Sequence, residues 1–341
     1  MLQVKRLLAF TPVWRNRVIA LDIRTFKLPL PGLGIESVNV YLVDNILVDV
    51  GLYSARTLHV LVKGLRASGM NVCDVEGVVV THFHVDHLSL LPLLLDMCGF
   101  EAYMGWRDLD IIRRGAVEFV KGVIEVYRLN GVPVEELELI TDLHPIMKFR
   151  DVYAVMLRDA PIKPLRDGDR LAGGSLRVLE VPGHTLGSIA LVNDYEGVAF
   201  VGDTLIDGIT PHVVAHRESQ DPLGEHLSSL RRLASMKLKT AYPGHRNPIG
   251  DPAVRALELV RFHEDRLNEI LGLIKERPRT GYEVARGVKW RVRYESWDQY
   301  PPVERFFAIG EAIAHLIHLR ELGIADYHEE KGVMKWYALN P

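Results

Sequence analysis

The stretch that decides the fold is THFHVDH at residues 81–87, which directly follows the apolar run EGVVV at residues 76–80. The apolar run predicts a short buried strand. In an extended segment His82 and His84 point to the same side, and the last two residues of the stretch can turn back where the next predicted helix begins. Three imidazoles and one carboxylate at the end of a buried strand therefore indicate a site for a divalent metal such as Zn(II) or Fe(II).

Three further polar side chains occupy the same kind of position downstream. His184 in VPGHTLGS, Asp203 in FVGDT and His245 in YPGH each follow an apolar strand pattern and stand beside a glycine. Since one metal ion takes three or four protein ligands, the seven candidate ligands suit two metal ions, with one carboxylate bridging them.

The chain alternates strand and helix patterns up to about residue 250, which is typical of an α/β fold with its chemistry at strand ends. Residues 105–165 interrupt this alternation and predict a helical insertion. From residue 251 the pattern becomes three helices and a β-hairpin around the turn HEEKG, an order typical of a winged helix. We therefore predict domains at 1–250 and 251–341. Strands are predicted at 37–43, 45–51, 76–80, 176–181, 188–192, 197–201 and 240–242, and helices at 55–68, 88–98 and 222–235.

The composition is that of an ordinary globular protein. The chain has 341 residues, of which 48% are hydrophobic and 25% charged, with a formal net charge of -3. This balance excludes a disordered or coiled-coil chain and provides no basic field for nucleic acid or membranes. No apolar run reaches the roughly 18 residues of a membrane span, and the N-terminal MLQVKRLLAF is too short in its apolar part for a signal peptide. We therefore expect a cytoplasmic protein.

Two cysteines, Cys73 and Cys98, are present. They allow at most one disulfide bridge, which excludes a disulfide-stapled scaffold. Their spacing does not match a metal-ligand motif, and we expect both to be buried free thiols.

The ordered set HxHxDH, PGHT, GDT and PGH resembles the metallo-β-lactamase superfamily, especially its glyoxalase II-like hydrolases, over roughly residues 17–250. The resemblance implies an αββα sandwich with a di-metal site at one edge. It also implies that Asp203 bridges the metals and that Asp49 orients the site without ligating. The implied ligands of one metal are His82, His84 and His184, and those of the other are Asp86, His87 and His245.

The C-terminal part has its own resemblance. RFHEDRLNEIL and HLIHLRELG resemble the winged-helix tail of the β-lactamase-like protein 2 group. The third helix of this part, at about 302–322, has more apolar residues than one core-facing stripe requires. We expect it to wall the active site by packing on the catalytic domain, or to form a homodimer. The insertion at 105–165 is expected to fold over the metal edge and narrow the pocket.

The expected function follows from the two metals. A water that bridges them has a lowered pKa and acts as hydroxide near neutral pH. It would attack a small ester-like bond (an ester, thioester or lactone), and Asp86 would hold or accept its proton. Zn(II) is the expected metal, with Fe(II) or Mn(II) as alternatives. His212, in the loop after the bridging carboxylate, is expected to line the substrate pocket.

Two other functions stay open. The first is a phosphodiesterase or endoribonuclease whose winged helix holds nucleic acid, because Lys289, Arg291 and Arg293 surround Trp290. The third C-terminal helix is poor in basic residues, however, so we favour a small-molecule substrate. The second is a non-enzymatic regulator that keeps the fold as a sensor, and the complete ligand set argues against it.

Overall fold

The structure is a computed structural model that describes residues 21–31, 35–291 and 294–339. The N-terminal stretch considered as a signal peptide lies outside them. The described residues form two large sheets. The first has its strands in chain order: β1 (Ile23–Pro29), β2 (Ser37–Val43), β3 (Ile46–Val48), β4 (Gly77–Val80), β5 (Glu101–Gly105) and β6 (Ile162–Leu165). The second has the order β11-β10-β9-β8-β7, with β7 (Arg170–Leu171), β8 (Leu176–Glu180), β9 (Ile189–Asn193), β10 (Val198–Gly202) and β11 (Thr240–Pro243).

Three helices cover the outer face of the first sheet: α1 (Ala55–Ala67), α2 (Val85–Leu88) and α3 (Leu91–Met97). Ser54 caps the N-terminus of α1, because its hydroxyl accepts a hydrogen bond from Thr57 N at 3.0 Å. The helix predicted over 88–98 is present as α3, which begins three residues later than predicted, and the short α2 ends where the predicted range begins. Pro92 lies in the first turn of α3, where its missing N–H is not needed, so a second helix begins there.

The insertion between β5 and β6 is helical, as the sequence predicts, but the last four residues of the predicted range 105–165 form strand β6. It consists of α4 (Trp106–Leu129), α5 (Val134–Leu143), α6 (Pro145–Lys148) and a π-helical segment (Val152–Leu157). Two side chains of the insertion hydrogen-bond to the backbone of Phe83, which lies between His82 and His84. Asp108 accepts from Phe83 N at 2.9 Å, and Tyr153 donates its hydroxyl to Phe83 O at 2.6 Å. The insertion therefore packs beside the candidate metal ligands.

Cys73 and Cys98 form a disulfide, so the prediction of free thiols is wrong. Cys73 lies in the short turn before β4, and Cys98 follows α3. These two segments bring the Cα atoms to 5.1 Å, a separation that a disulfide requires. Nothing in a spacing of 25 residues reveals this proximity. Disulfides are uncommon in the cytosol of mesophiles, so the cytoplasmic location stays a prediction.

The described residues after β10 include four α-helices and a hairpin. They are α7 (Pro222–Ser235), α8 (Pro252–Glu276), α9 (Gly281–Gly287), α10 (Pro302–Glu321), β12 (Ala325–Glu330) and β13 (Val333–Ala338). Asp221 and Asp251 cap α7 and α8, and Thr280 caps α9 in a capping box. The hairpin turn is tighter than predicted, because Lys331 and Gly332 both have positive φ and form a two-residue turn. In the described part of the chain, no helix combines the length and apolar character that crossing a membrane requires.

The two sheets face each other across a core to which both contribute, and helices cover their outer faces. β10 is buried on both sides and is therefore continuously apolar, and β2 is buried along most of its length with Asn39 as a polar exception. The expected αββα sandwich is confirmed. The core between the sheets includes Tyr41, Val43, Val48, Val79, Val178, Leu191 and Phe200.

α10 packs directly on the rest of the protein, and one hydrophobic core joins it to α7, α8 and the second sheet. Tyr127 of α4 donates its hydroxyl to Phe306 O at 2.8 Å. Ala215 N donates to Gly310 O at 3.3 Å. Gly310 has no room for a side chain, because a Cβ there would meet the Tyr127 hydroxyl and Val214. The surplus apolar residues of this helix are thus used in packing within the chain.

We expect Gly310→Ala to destabilise the protein by about 1–3 kcal/mol, because the added methyl group overpacks the contact with Tyr127. Gly272 in α8 is the matched control, since a Cβ there meets nothing within 4 Å. Gly272→Ala should stabilise by up to about 1 kcal/mol through helix propensity. Urea titration of the unfolding free energy measures both. Stabilisation of equal size in the two variants would contradict this packing of α10.

Candidate metal centre

Three imidazole rings converge at the ends of β4 and β8. The distance from His84 Nδ1 is 3.2 Å to His82 Nε2 and 3.0 Å to His184 Nε2. Burial lowers the pKa of His82 and His84 well below the usual range, and neighbouring imidazoles lower it further. Neutral rings present lone pairs, so this trio suits one borderline divalent metal.

A second group lies beside the first. Asp86 Oδ2 is 3.2 Å from His245 Nε2 and 3.7 Å from His87 Nε2. Asp86 and His87 belong to α2, and His245 follows β11, so the group joins the two sheets at one edge. Its three ligand atoms are close enough to hold a second cation.

Asp203 lies between the two groups. Its Oδ2 is 3.8 Å from His184 Nε2 and 3.3 Å from His245 Nε2, and its Oδ1 is 3.6 Å from His87 Nε2. One carboxylate thus faces ligands of both groups. This is the position that the resemblance assigns to a bridging residue.

The outer ring nitrogens fix the orientation of the histidines. His184 Nδ1 donates to His212 O at 3.0 Å, His245 Nδ1 donates to Ser37 O at 2.8 Å, and His87 Nδ1 donates to Asp49 at 2.8 Å. In each ring the proton is therefore on Nδ1, and the Nε2 lone pair points into the centre. Such hydrogen bonds behind a ligand are characteristic of metal sites in proteins.

Asp49 does not contact the ligand atoms that face the centre. It positions the residues that carry or adjoin them. Its Oδ1 accepts from Thr81 N at 2.7 Å, and its Oδ2 accepts from Thr81 Oγ1 at 2.9 Å as well as from His87 Nδ1. Its φ is 63°, a conformation that Asp tolerates better than most residues. The orienting role expected for Asp49 matches this placement.

Two buried ligand atoms fit a metal rather than a hydrogen bond. His87 Nε2 and Asp203 Oδ1 have no hydrogen-bond partner among the described residues, and such orphaned atoms are rare in protein interiors. Burial lowers the pKa of His87, yet the adjacent carboxylates, Asp49 first, raise it well above its usual range. Burial raises the pKa of Asp203, yet His245 and His87 hold it well below the usual range. The centre therefore favours positive charge, which divalent cations supply.

Several residues that shape the site were not predicted from the sequence. Asn39 donates its amide to Pro243 O and Arg246 O, both at 3.0 Å, and Tyr41 donates its hydroxyl to Pro243 O at 2.6 Å. These bonds hold the loop of His245. Gly244 in that loop must lack a side chain, because a Cβ would meet Asp203 Oδ1 and His87 Cε1.

Asp108 is a further buried carboxylate at the site that sequence analysis missed. It accepts from Thr185 Oγ1 at 2.7 Å and from Gly187 N at 2.6 Å, in addition to Phe83 N. It therefore fixes the segments of two ligands, His84 and His184. In the sequence, Asp108 stands in the first turn of a helix that directly follows a strand. An acidic residue is common there because it interacts favourably with the helix dipole, so this position alone does not indicate a site residue.

His212 lies against the metal ligands, and the more distant His216 does not. The His212 ring centroid is 4.6 Å from that of His184, 5.7 Å from that of His84 and 4.0 Å from that of Phe307 in α10. Phe307 and His212 thus form a wall beside the three-histidine group. His216 instead packs on Phe119 of the insertion, with ring centroids 5.2 Å apart.

The sequence profile described as "Metallo-beta-lactamase superfamily" matches residues 33–245. The chain belongs to this superfamily. The probable metallo-hydrolase YqjP of Bacillus subtilis is 28% identical in an alignment of length 336 that covers 90% of this chain and 95% of YqjP. The lactamase-like protein nscB of Neosartorya fischeri is 34% identical over 270 residues, which cover 76% of this chain and 64% of nscB.

Solved structures extend the similarity beyond the profile. The metallo-beta-lactamase family protein TTHA1429 from Thermus thermophilus has a TM-score of 0.76 and 28% identity, over 93% of this chain and 98% of that one. The similarity therefore includes the helices after residue 250. As a superfamily member with the His and Asp clusters assembled, the chain is a metal-dependent hydrolase.

We expect His84→Ala and Asp203→Ala each to lose bound metal and nearly all hydrolysis, because each removes a ligand that the rest of its group cannot replace. Metal per chain is measured by mass spectrometry after loading and desalting. His59→Ala, an exposed histidine in α1, is the control and should keep both metal and activity. If either ligand variant kept the wild-type metal content and hydrolysis rate, the assignment of that residue as a metal ligand would be wrong.

Proposed function

We propose that this metallo-hydrolase uses two divalent ions, Zn(II) or alternatively Fe(II) or Mn(II), to cleave a small ester-like bond of an ester, thioester or lactone. The observation that carries the proposal is the pair of buried ligand groups with Asp203 between them. Two cations held there would activate water and polarise the bond under attack. Imidazole and carboxylate ligands suit each of these metals.

Asp86 is the side chain of this centre with a role in proton transfer. Burial raises its pKa, yet His87 and His245 lower it to about 2, so the carboxylate is ionised at neutral pH. Its side chain is 16% exposed, whereas that of His87 is fully buried. Asp86 thus reaches the open side of the centre, where its carboxylate can accept a proton from the attacking water.

The walls of the centre support a small substrate. Phe307 of α10 covers one side of His212. On the other side, Phe83 lies 5.3 Å from His84 and 5.6 Å from Phe119 of the insertion, measured between ring centroids. Apolar rings from two separate parts of the chain thus flank the three-histidine group. Apolar surroundings of this kind support an acyl substrate over a nucleic acid.

The nucleic-acid alternative has weaker support. The guanidinium of Arg266 lies 4.3 Å from the centroid of the Trp290 ring, so this ring is already covered by a cation of the same chain. Arg291 lies 5.9 Å from the Phe262 ring, and Arg293 is outside the described residues. We keep three proposals: a winged helix for this part of the chain, a small-molecule substrate and a homodimer. For α10, a role as a wall of the active site agrees better with its packing inside the chain than a role in a dimer interface does.

An activity screen of the metal-loaded protein tests the proposal. The panel contains short-chain esters, acyl thioesters, lactones, a phosphodiester and single-stranded RNA, each also incubated with Asp203→Ala. We expect hydrolysis of at least one acyl substrate and none of RNA. Metal-dependent cleavage of RNA without acyl hydrolysis would replace the proposal by the nuclease alternative.

Removal of the Phe307 ring should weaken substrate binding without loss of metal. We expect Phe307→Ala to raise KM by about tenfold, in line with the loss of one apolar contact, with the metal content unchanged. Tyr195→Ala is the control, because Tyr195 is 70% exposed on a turn. An unchanged KM in Phe307→Ala would mean that α10 does not line the pocket.

A further inference from the structure

A second cluster of potential metal ligands lies away from the sheet edge, between helices. His263 belongs to α8, and Glu311 and His315 belong to α10. All three are buried, with exposed fractions of 0%, 8% and 0%. Each offers a ligand atom within 4.8 Å of the others. The hydrolase reaction does not use this cluster, and neither the motifs nor the superfamily ligands include it.

The helical spacing of the cluster directs two ligands to one side. Glu311 and His315 are four residues apart and therefore lie on the same face of α10. His315 Nδ1 donates to Glu311 O at 2.7 Å, so the proton of this ring is on Nδ1. The lone pair of His315 Nε2 then faces His263 Nδ1, which is 3.2 Å away. That separation equals the one between His82 Nε2 and His84 Nδ1 in the metal centre.

The cluster leaves polar atoms without partners. Within residues 21–31, 35–291 and 294–339, Glu311 Oε1 and His263 Nε2 have no hydrogen-bond partner, and neither ring nitrogen of His226 in α7 has one. The His226 ring lies 5.5 Å from that of His263. A buried carboxylate without a partner costs free energy, and a cation bound beside Glu311 would remove that cost for its Oε1.

Arg266 does not satisfy Glu311 directly. Its guanidinium Nε lies 3.6 Å from Glu269 Oε2, and the group stacks over Trp290. No hydrogen bond between Arg266 and Glu311 occurs in the described part of the chain. Among the described residues Arg266 Nη1 has no hydrogen-bond partner, so the guanidinium leaves the carboxylate of Glu311 unpaired.

We propose that His263, Glu311 and His315 bind a third divalent cation of the zinc class, which links α8 to α10 and has a structural role. Two imidazoles and one carboxylate form a ligand set that Zn(II) accepts. The ion would fasten the helix that carries Phe307 to the body of the protein. The cluster lies close behind the metal centre. The ring of His226 is next to that of His263, and the backbone of His226 packs against Gly183, the residue before His184.

Metal stoichiometry of the full-length chain tests the third site independently of activity. After loading with zinc and desalting, we expect three zinc ions per wild-type chain and two in Glu311→Gln, an isosteric change. Glu321→Gln, an exposed glutamate on the same helix, is the control and should keep three. Equal zinc content in wild type and Glu311→Gln would overturn the proposal.

A second measurement separates this site from the metal centre. In Asp203→Ala, excess zinc should raise Tm by roughly 5 °C through binding at the helical cluster, and the added Glu311→Gln change should remove that rise. If zinc raises Tm equally in both, the cluster binds no metal. If Glu311→Gln fails to fold, anomalous diffraction at the zinc edge of the wild-type protein tests the third site instead. An anomalous peak beside His315 Nε2 supports the site, and the absence of a peak there overturns the proposal. Failure of the proposed hydrolase activity would leave each of these results unaffected.

Discussion

The carboxylate of Asp49 accepts three hydrogen bonds, and the metal centre depends on where the three donors are held. Two of them come from Thr81 and the third is His87 Nδ1. Thr81 precedes His82 and contacts its ring, with 3.1 Å between Oγ1 and Nδ1. A single buried anion thus ties the end of β3 to the end of β4 and to α2. Without it, two buried donors and one ligand ring would lose their partner, at a cost of about 1–3 kcal/mol for each unsatisfied group.

The sequence predicted those parts of the site that depend on local order. The segment from His82 to His87 follows a strand directly, so its ligands could be assigned from a motif and from strand periodicity. Strands β8 to β11 of the second sheet were predicted for the same reason, because they are short apolar runs near glycines, whereas β7 was not predicted. The helix predicted over 88–98 begins later in the structure, where Pro92 occupies its first turn.

The remaining features depend on contacts between distant residues. Asn39 and Pro243 are 204 residues apart, and Asp108 reaches Thr185 across 77 residues. The disulfide has the same character, since two loops that meet in space show no common pattern along the chain. A single residue such as Asn39 belongs to no motif or periodic pattern, so its role in the site cannot be recognised from one sequence. Buried polar residues of this kind become visible only when the hydrogen bonds of the folded protein are known.

The contacts that hold His245 also determine when the metal centre can form. His245 binds Ser37 across 208 residues, and Asn39 holds the same loop. Such long-range contacts close late in folding, because the entropy of a large loop must be lost first. The ligand groups therefore come together only after both sheets have docked. A metal ion thus meets its complete ligand set only in a chain whose two sheets have docked, in contrast to a zinc finger, whose ligands lie within one short segment.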